Sequence, residues 1–292
     1  MLRRWSIPIT TAVFAVGSLL GLAAGNASAA VAHPSAVHHS ATTTMARPGG
    51  AAAHGFKPGG VMLRPGGSAG EVRADGHSGR RFQAESTNWS GYAVTGSNGT
   101  FKSVSASWTQ PTATCSGNRR SDQYAAFWVG LDGYSSDSVE QTGTDSDCDG
   151  RTPDYYGWYE MYPADPVYYT NTVEPGDSMS ASVTFSGTDT YTLVLKDSTR
   201  GWTETKAINE SGFDRSSAEV ITEAPCCTNS GGILPLADFG TVNYTAASAN
   251  GSSMGTQSPT SIVMVDNSGL EKDSTSSISS SGAFSNTWIR SS

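Results

Sequence analysis

From about residue 82 to the C-terminus, turn-forming residues recur roughly every ten positions, and the short runs between them are rich in Thr, Val, Tyr, Trp and Phe with alternating polarity. Val104 to Trp108, Met179 to Phe185 and Tyr191 to Lys196 are the clearest of these runs. No window carries apolar residues at the 3.6-residue repeat of a helix, and Gly, Ser and Thr are dense throughout. A helical core is therefore excluded. The expected fold is all-β, an antiparallel two-sheet β-sandwich with little helix, and residues 82–292 make one such domain.

Side chains two apart in a strand share a face, which turns several segments into rows. Trp158, Glu160 and Tyr162 form one row, Val139, Gln141 and Gly143 a second, and Ser217, Glu219, Ile221 and Glu223 a third. Aromatic rings and carboxyls on one sheet face suit a groove that stacks and hydrogen-bonds an extended polymer better than they suit a core.

The N-terminal part has a different composition. Arg3 and Arg4 precede an apolar run from Ile7 to Ala24 and then Ala27-Ser28-Ala29, the pattern of a secretory signal over residues 1–29. Residues 30–81 are rich in Ala, Gly, Pro, His and Arg and poor in large apolar residues, so a largely disordered pro-segment is expected, removed either by another protease at Arg80-Arg81 or by acid self-cleavage nearby. These readings make the chain a secreted, extracellular zymogen.

Charge divides at the same boundary. Residues 1–81 hold 8 Lys/Arg and 2 Asp/Glu, whereas residues 82–292 hold 10 and 24, a formal net charge of −14. An acidic domain of that kind repels nucleic acid and anionic membranes, so neither is expected as a partner, and a monomer is expected. The basic pro-segment is complementary to it and is expected to act as its inhibitor, released when acid neutralises the carboxylates.

All five histidines, His33, His38, His39, His54 and His77, precede residue 82. The predicted mature domain therefore has no imidazole for a Ser-His-Asp triad, a Cys-His dyad or a zinc site. Carboxyls remain for acid–base work, and an unperturbed Glu titrates near ~4.3. No cofactor or metal is expected. Asp145-Ser-Asp147-Cys-Asp149-Gly150 begins like a calcium loop, but its twelfth position is Tyr156 instead of Glu. The four cysteines of an exported chain predict disulfides; of the three connectivities, Cys115 with Cys148 is favoured, leaving Cys226 and Cys227 bonded to each other or reduced.

Five motifs stand in order between Ser86 and Ala247: Asn88-Trp89-Ser90-Gly91, Trp128-Val-Gly-Leu-Asp132-Gly133, Gln141-Thr-Gly-Thr-Asp145, Trp158-Tyr-Glu160-Met-Tyr162-Pro163 and Ala218-Glu219-Val-Ile-Thr-Glu223. Together they resemble the motif set of the eqolisin family of glutamic peptidases. The resemblance implies a concanavalin-like, glucanase-like sandwich, an acid-active endopeptidase made as a preproenzyme, and a polypeptide substrate. It implies Gln141 and Glu223 as the catalytic pair, with Trp89, Trp128, Asp132, Asp145, Trp158, Glu160 and Tyr162 lining the substrate cleft. Val220 stands where the family usually has Trp, and Ala224-Pro225-Cys226 where fungal members continue Asp-Phe-Glu. These departures keep Glu219, on the same face, as the other candidate for the acidic role.

In the implied chemistry Glu223 takes a proton from water and later delivers it to the leaving nitrogen, while the Gln141 amide holds the water and donates to the oxyanion. A second reading fits the same rows of Trp, Tyr and acid: a carbohydrate-active sandwich, either a glycoside hydrolase or a lectin-like module. Against it, Glu219 and Glu223 lie roughly 13 Å apart along one strand, outside the spacing two hydrolase carboxyls need.

Overall fold

A computed structural model describes residues 83–116, 121–225 and 233–292, which belong to a single compact unit. The expected signal and pro-segments, all five histidines and the Cys226–Cys227 pair lie outside the described residues.

Sixteen strands and one 3-10 turn make up the described part. They are β1 (Gln83–Ser86), β2 (Trp89–Thr95), β3 (Ser103–Thr109), β4 (Ala126–Leu131), β5 (Val139–Asp149), β6 (Thr152–Tyr162), β7 (Val167–Tyr168) and β8 (Ser178–Phe185). There follow β9 (Thr190–Asp197), β10 (Trp202–Asn209), β11 (Ser217–Glu223), β12 (Thr241–Ala249), β13 (Ser252–Ser253), β14 (Thr260–Met264), β15 (Asp273–Thr275) and β16 (Phe284–Trp288). One sheet runs β1-β14-β2-β11-β4-β5-β6-β7 and the other β10-β9-β8-β3-β12-β16-β15, with β13 beside β12. The sandwich is as expected, save that β1 pairs with β14 in parallel. That pair joins segments about 180 residues apart, so no hairpin dictates its direction.

Strand burial explains why these residues form these sheets. In β3 the polar Ser105 and Ser107 alternate with buried Val104, Ala106 and Trp108, so one face is wet and the other packs on the facing sheet. In β4 the alternation disappears because Ala126 to Leu131 are all buried. Its Phe127, Val129 and Leu131 enter the core between the sheets, where Met179, Val183, Leu193 and Leu195 meet them. Its Ala126 and Trp128 belong to a second apolar cluster on the opposite face, with Trp89, Val139, Tyr156, Trp158, Ile221 and Ile262.

The second cluster marks the face that the strand rows single out. Cys115 and Cys148 form a disulfide as favoured, 33 residues apart in sequence, fastening the segment after β3 to β5. Asp145 to Asp149 continue β5 as extended strand, which rules out the turn a calcium loop requires. Among the described residues there is no His/Cys/Asp/Glu group able to hold a metal, and no helix long and apolar enough to cross a membrane.

Candidate active site

Strand register arranges the groove face in three lateral rows. Glu219, Gly130, Gln141 and Glu160 are cross-strand partners in the first, Ile221, Trp128, Gly143 and Trp158 in the second, and Glu223, Ala126, Asp145 and Tyr156 in the third. The floor strand β4 thus presents Ala126, Trp128 and Gly130, a single large ring flanked by small residues. The ring has room because its partner is glycine: a Cβ at residue 143 would sit 2.6 Å from Trp128 Cβ and 2.2 Å from the Phe127 carbonyl oxygen. The far edge of the indole reaches toward Gly130, where a Cβ would lie 2.9 Å from Trp128 Cζ3 and 3.3 Å from Gln141 Cβ. Its Nε1 points the other way and donates to Glu223 Oε2 at 2.8 Å. The indole of Trp128 therefore spans from the row of Gln141 to the row of Glu223.

Gln141 is buried, and its Nε2 donates to Glu160 Oε2 at 2.6 Å. That bond fixes the amide, leaving Oε1 buried with no protein partner. Glu223 is buried as well. Its Oε1 accepts from Asn88 Nδ2 at 3.2 Å, and its Oε2 from Trp128. Burial pushes its carboxyl up to about 7, against the opposing pull of Trp128, the nearby indole of Trp89 and Asn88. Trp89 packs edge-on to Trp128 with centroids 5.0 Å apart, and its own Nε1 completes no hydrogen bond. The expectation of a Glu titrating near its unperturbed value is corrected here, because desolvation outweighs the donors.

Glu219 shares the face but not the environment. Both of its carboxyl oxygens are buried without a hydrogen-bond partner. Burial drives it well above the usual carboxylate range; Ser217 and the Tyr134 amide oppose this, while Asp132 and Glu140 add to it. With Glu160, it is one of two carboxyls in Gln141's own row, across Gly130, whereas Glu223 lies four residues further along β11.

The cleft residues implied by the sequence divide into two groups. Trp89, Trp128, Trp158, Glu160 and Asp145 lie on the groove face, with Trp158 Nε1 donating to Asp145 Oδ1 at 2.5 Å. Tyr156 donates to Asp145 Oδ2 at 3.0 Å and approaches Asp147 Oδ2 at 2.5 Å. Tyr162 is half-buried at the end of β6, its phenol pushed up by burial and by Glu160 and Asp137. Asp132 stands apart. Its carboxyl accepts from the Arg215 and Ser216 backbone amides at 2.5 and 2.8 Å, closing the turn into β11. Asn88 and Tyr156 were missed as functional candidates; Asn88 stood in a motif, but nothing local links it to a residue 135 positions away.

A hollow of about 270 Å³ on the outer face of the other sheet is lined by Ser105, Ser107, Ser180, Ser182, Val194 and Lys196. Lys196 is its one charged side chain, so it offers no acid–base pair.

The model of the Peptidase A4 family matches residues 87–288. Scytalido-glutamic peptidase, in a crystal structure with a transition state analog inhibitor, is 27% identical with a TM-score of 0.60 over 70% of this chain and 98% of that one. SCP-B, a member of the eqolisin family in complex with the tripeptide Ala-Ile-His, is 26% identical with a TM-score of 0.56 over the same shares of the two chains. Aspergilloglutamic peptidase from Aspergillus niger is 26% identical with a TM-score of 0.50, over 57% of this chain and 99% of that one. No curated protein matches the sequence.

Proposed function

The chain belongs to the Peptidase A4 family and is a peptidase, and from that premise we propose that it is a secreted, acid-active endopeptidase whose Glu223 and Gln141 hydrolyse peptide bonds. The observation that carries this reading is the contrast in donors between Glu223 and Glu219: each oxygen of Glu223 accepts a hydrogen bond, and neither oxygen of Glu219 completes one. Those two donors fix the direction of the carboxyl and temper the rise that burial imposes, so that one oxygen can give a proton while the other takes one. Neither oxygen of Glu219 completes a hydrogen bond that would fix its carboxyl in this way.

The protonation state sets the order of events. At pH 4 a group titrating near 7 carries its proton in all but about one molecule in a thousand. Glu223 therefore begins as the acid. Its O–H donates to the scissile carbonyl oxygen while water, oriented by Gln141 Oε1, adds to the carbon. The other carboxyl oxygen accepts the water's proton, so Glu223 remains neutral and still acts as general base to the nucleophile. The tetrahedral diol then collapses: Glu223 gives its proton to the nitrogen, the C–N bond breaks, and a diol proton returns to the carboxyl. The second N–H of Gln141 donates to the developing oxygen charge, and because an amide does not titrate, that donor persists in acid.

Acid activity has further support in the buried acids. Glu140, Glu219 and Asp273 are all pushed upward by burial, Asp273 to about 7, so the fold prefers them neutral. The apolar run and small residues of 1–29, and the basic composition of 30–81, support export and a pro-segment that inhibits until removed.

The test uses the mature chain and a Glu223→Gln variant with a denatured protein at pH 3 to 5, with pepstatin present, and with a β-glucan in parallel. New peptide termini from the parent and none from the variant are expected. Sugar release without peptide release would return the carbohydrate reading.

A further inference from the structure

We propose that Asn88 is a positioning residue for Glu223, and that Ser86 orients it for that task. The inference rests on the reading that Glu223 is the group exchanging protons, and the controls below separate the two. Ser86 Oγ donates to Asn88 Oδ1 at 3.1 Å, while the backbone amides of Asn88 and Trp89 donate to that same Oγ at 3.3 and 3.0 Å. With two amide donors on its oxygen, the hydroxyl proton of Ser86 is directed to the side-chain carbonyl of Asn88. The Asn88 amide is thereby held one way round. Its Nδ2, which can only donate, faces Glu223 Oε1 at 3.2 Å.

The backbone of the same residue fastens the other end of the arrangement. The Asn88 carbonyl accepts from the Ala224 amide at 2.8 Å, directly after Glu223, and the Ser86 carbonyl accepts from the Val265 amide at 2.8 Å. The corner between β1 and β2 thus grips the residue that follows β11 by main chain and the Glu223 carboxyl by side chain. Ser86, Asn88 and Glu223 are all buried, so no solvent substitutes for these bonds.

A donor that faces one carboxyl oxygen stabilises the carboxylate more than the acid. Asn88→Ala removes it and raises the pH at which Glu223 loses its proton, by about one pH unit. Asn88→Asp keeps the shape and the backbone bonds but sets a second carboxyl against Oε1. Two acids at that distance share a proton, so the midpoint rises further than with Ala. Ser86→Ala frees the amide to turn and produces a smaller rise in the same direction.

The experiment follows the Glu223 carboxyl carbon by ¹³C NMR across pH in the mature parent and the three variants, with kcat/KM against pH and Tm recorded on the same samples. The expected order of midpoints is parent, Ser86→Ala, Asn88→Ala, Asn88→Asp, with the alkaline limb of kcat/KM moving in step. A merely structural role for these side chains would lower Tm in the variants and leave the Glu223 midpoint where it is, which overturns the inference. Where Asn88→Ala fails to fold, Asn88→Asp and Ser86→Ala decide it. Glu223→Gln serves as the control: peptide hydrolysis persisting in that variant rejects the underlying assignment of Glu223, whereas an inactive control with unmoved midpoints rejects the role of Asn88 alone.

Discussion

The two ends of β11 carry the same side chain on the same face and treat it in opposite ways. At Glu223 the oxygens meet an asparagine amide and an indole N–H, and the carboxyl titrates near neutrality. At Glu219, four residues earlier, burial is as complete but neither oxygen completes a hydrogen bond, and burial drives the carboxyl well above the usual range. Burial alone therefore does not make an acid–base catalyst. It raises the proton affinity of both groups, and at Glu223 the Asn88 and Trp128 donors temper that rise and fix the direction of the carboxyl.

The largest expected effect breaks the symmetry of the two glutamates outright. Glu223→Gln should lower kcat/KM on a peptide by up to about 10⁴-fold with an unchanged circular dichroism spectrum, while Glu219→Gln should cost only a few-fold. Equal losses would end the distinction between the two ends. Gln141→Ala comes next, with kcat reduced about 10²- to 10³-fold in steady-state assays. Gln141→Glu should be equally poor despite its shape, because it sets a titrating acid against Glu160.

Stability against pH sharpens the comparison from the other side. Acids raised in the folded state stay protonated there while the unfolded chain ionises from about pH 4 upward, so unfolding becomes easier as pH climbs. For Asp273 and Glu223, raised to about 7, the loss is spread between roughly pH 4 and 7 and amounts to about 3 to 4 kcal/mol each, flat beyond. Below pH 4 both states are protonated and the stability is fully present. Urea unfolding midpoints should therefore fall from pH 4 to pH 7, and Glu219→Gln should flatten that fall by removing one of the buried acids. The smallest effect is expected of Trp128→Phe, which keeps a ring over Gly143 and removes the donor to Glu223 Oε2. The alkaline limb of kcat/KM should rise by about one pH unit, with little change at pH 4.

Much of this was legible in the sequence, for a definite reason. A period of two places Trp158, Glu160 and Tyr162 on one face, and Glu219 with Glu223 on another stretch of it, whatever the partner strands are. Lateral neighbours are a different matter. Which residue of β11 stands beside Gln141 depends on how β4 registers with both strands, and that pairing is non-local. Strand parity thus could not say that Glu219 occupies Gln141's row and Glu223 that of Asp145. The grip of Asn88 on Glu223 was hidden for the same reason, since it depends on β2 lying against β11. The titration of Glu223 near neutrality needed the packing of Trp89, Trp128 and their neighbours, which no count of carboxylates supplies. Asp132 shows the converse: its motif implied a cleft residue, and its carboxyl is engaged by the backbone leading into β11.

A crystal structure with a peptide that carries a tetrahedral hydroxyl in place of its scissile carbonyl tests the central claim most directly. That hydroxyl should lie within hydrogen-bonding distance, about 3 Å, of both the Gln141 amide and the Glu223 carboxyl, above the Trp128 ring. A hydroxyl seated against Glu219, with Glu223 still bound only to Asn88 and Trp128, would contradict it.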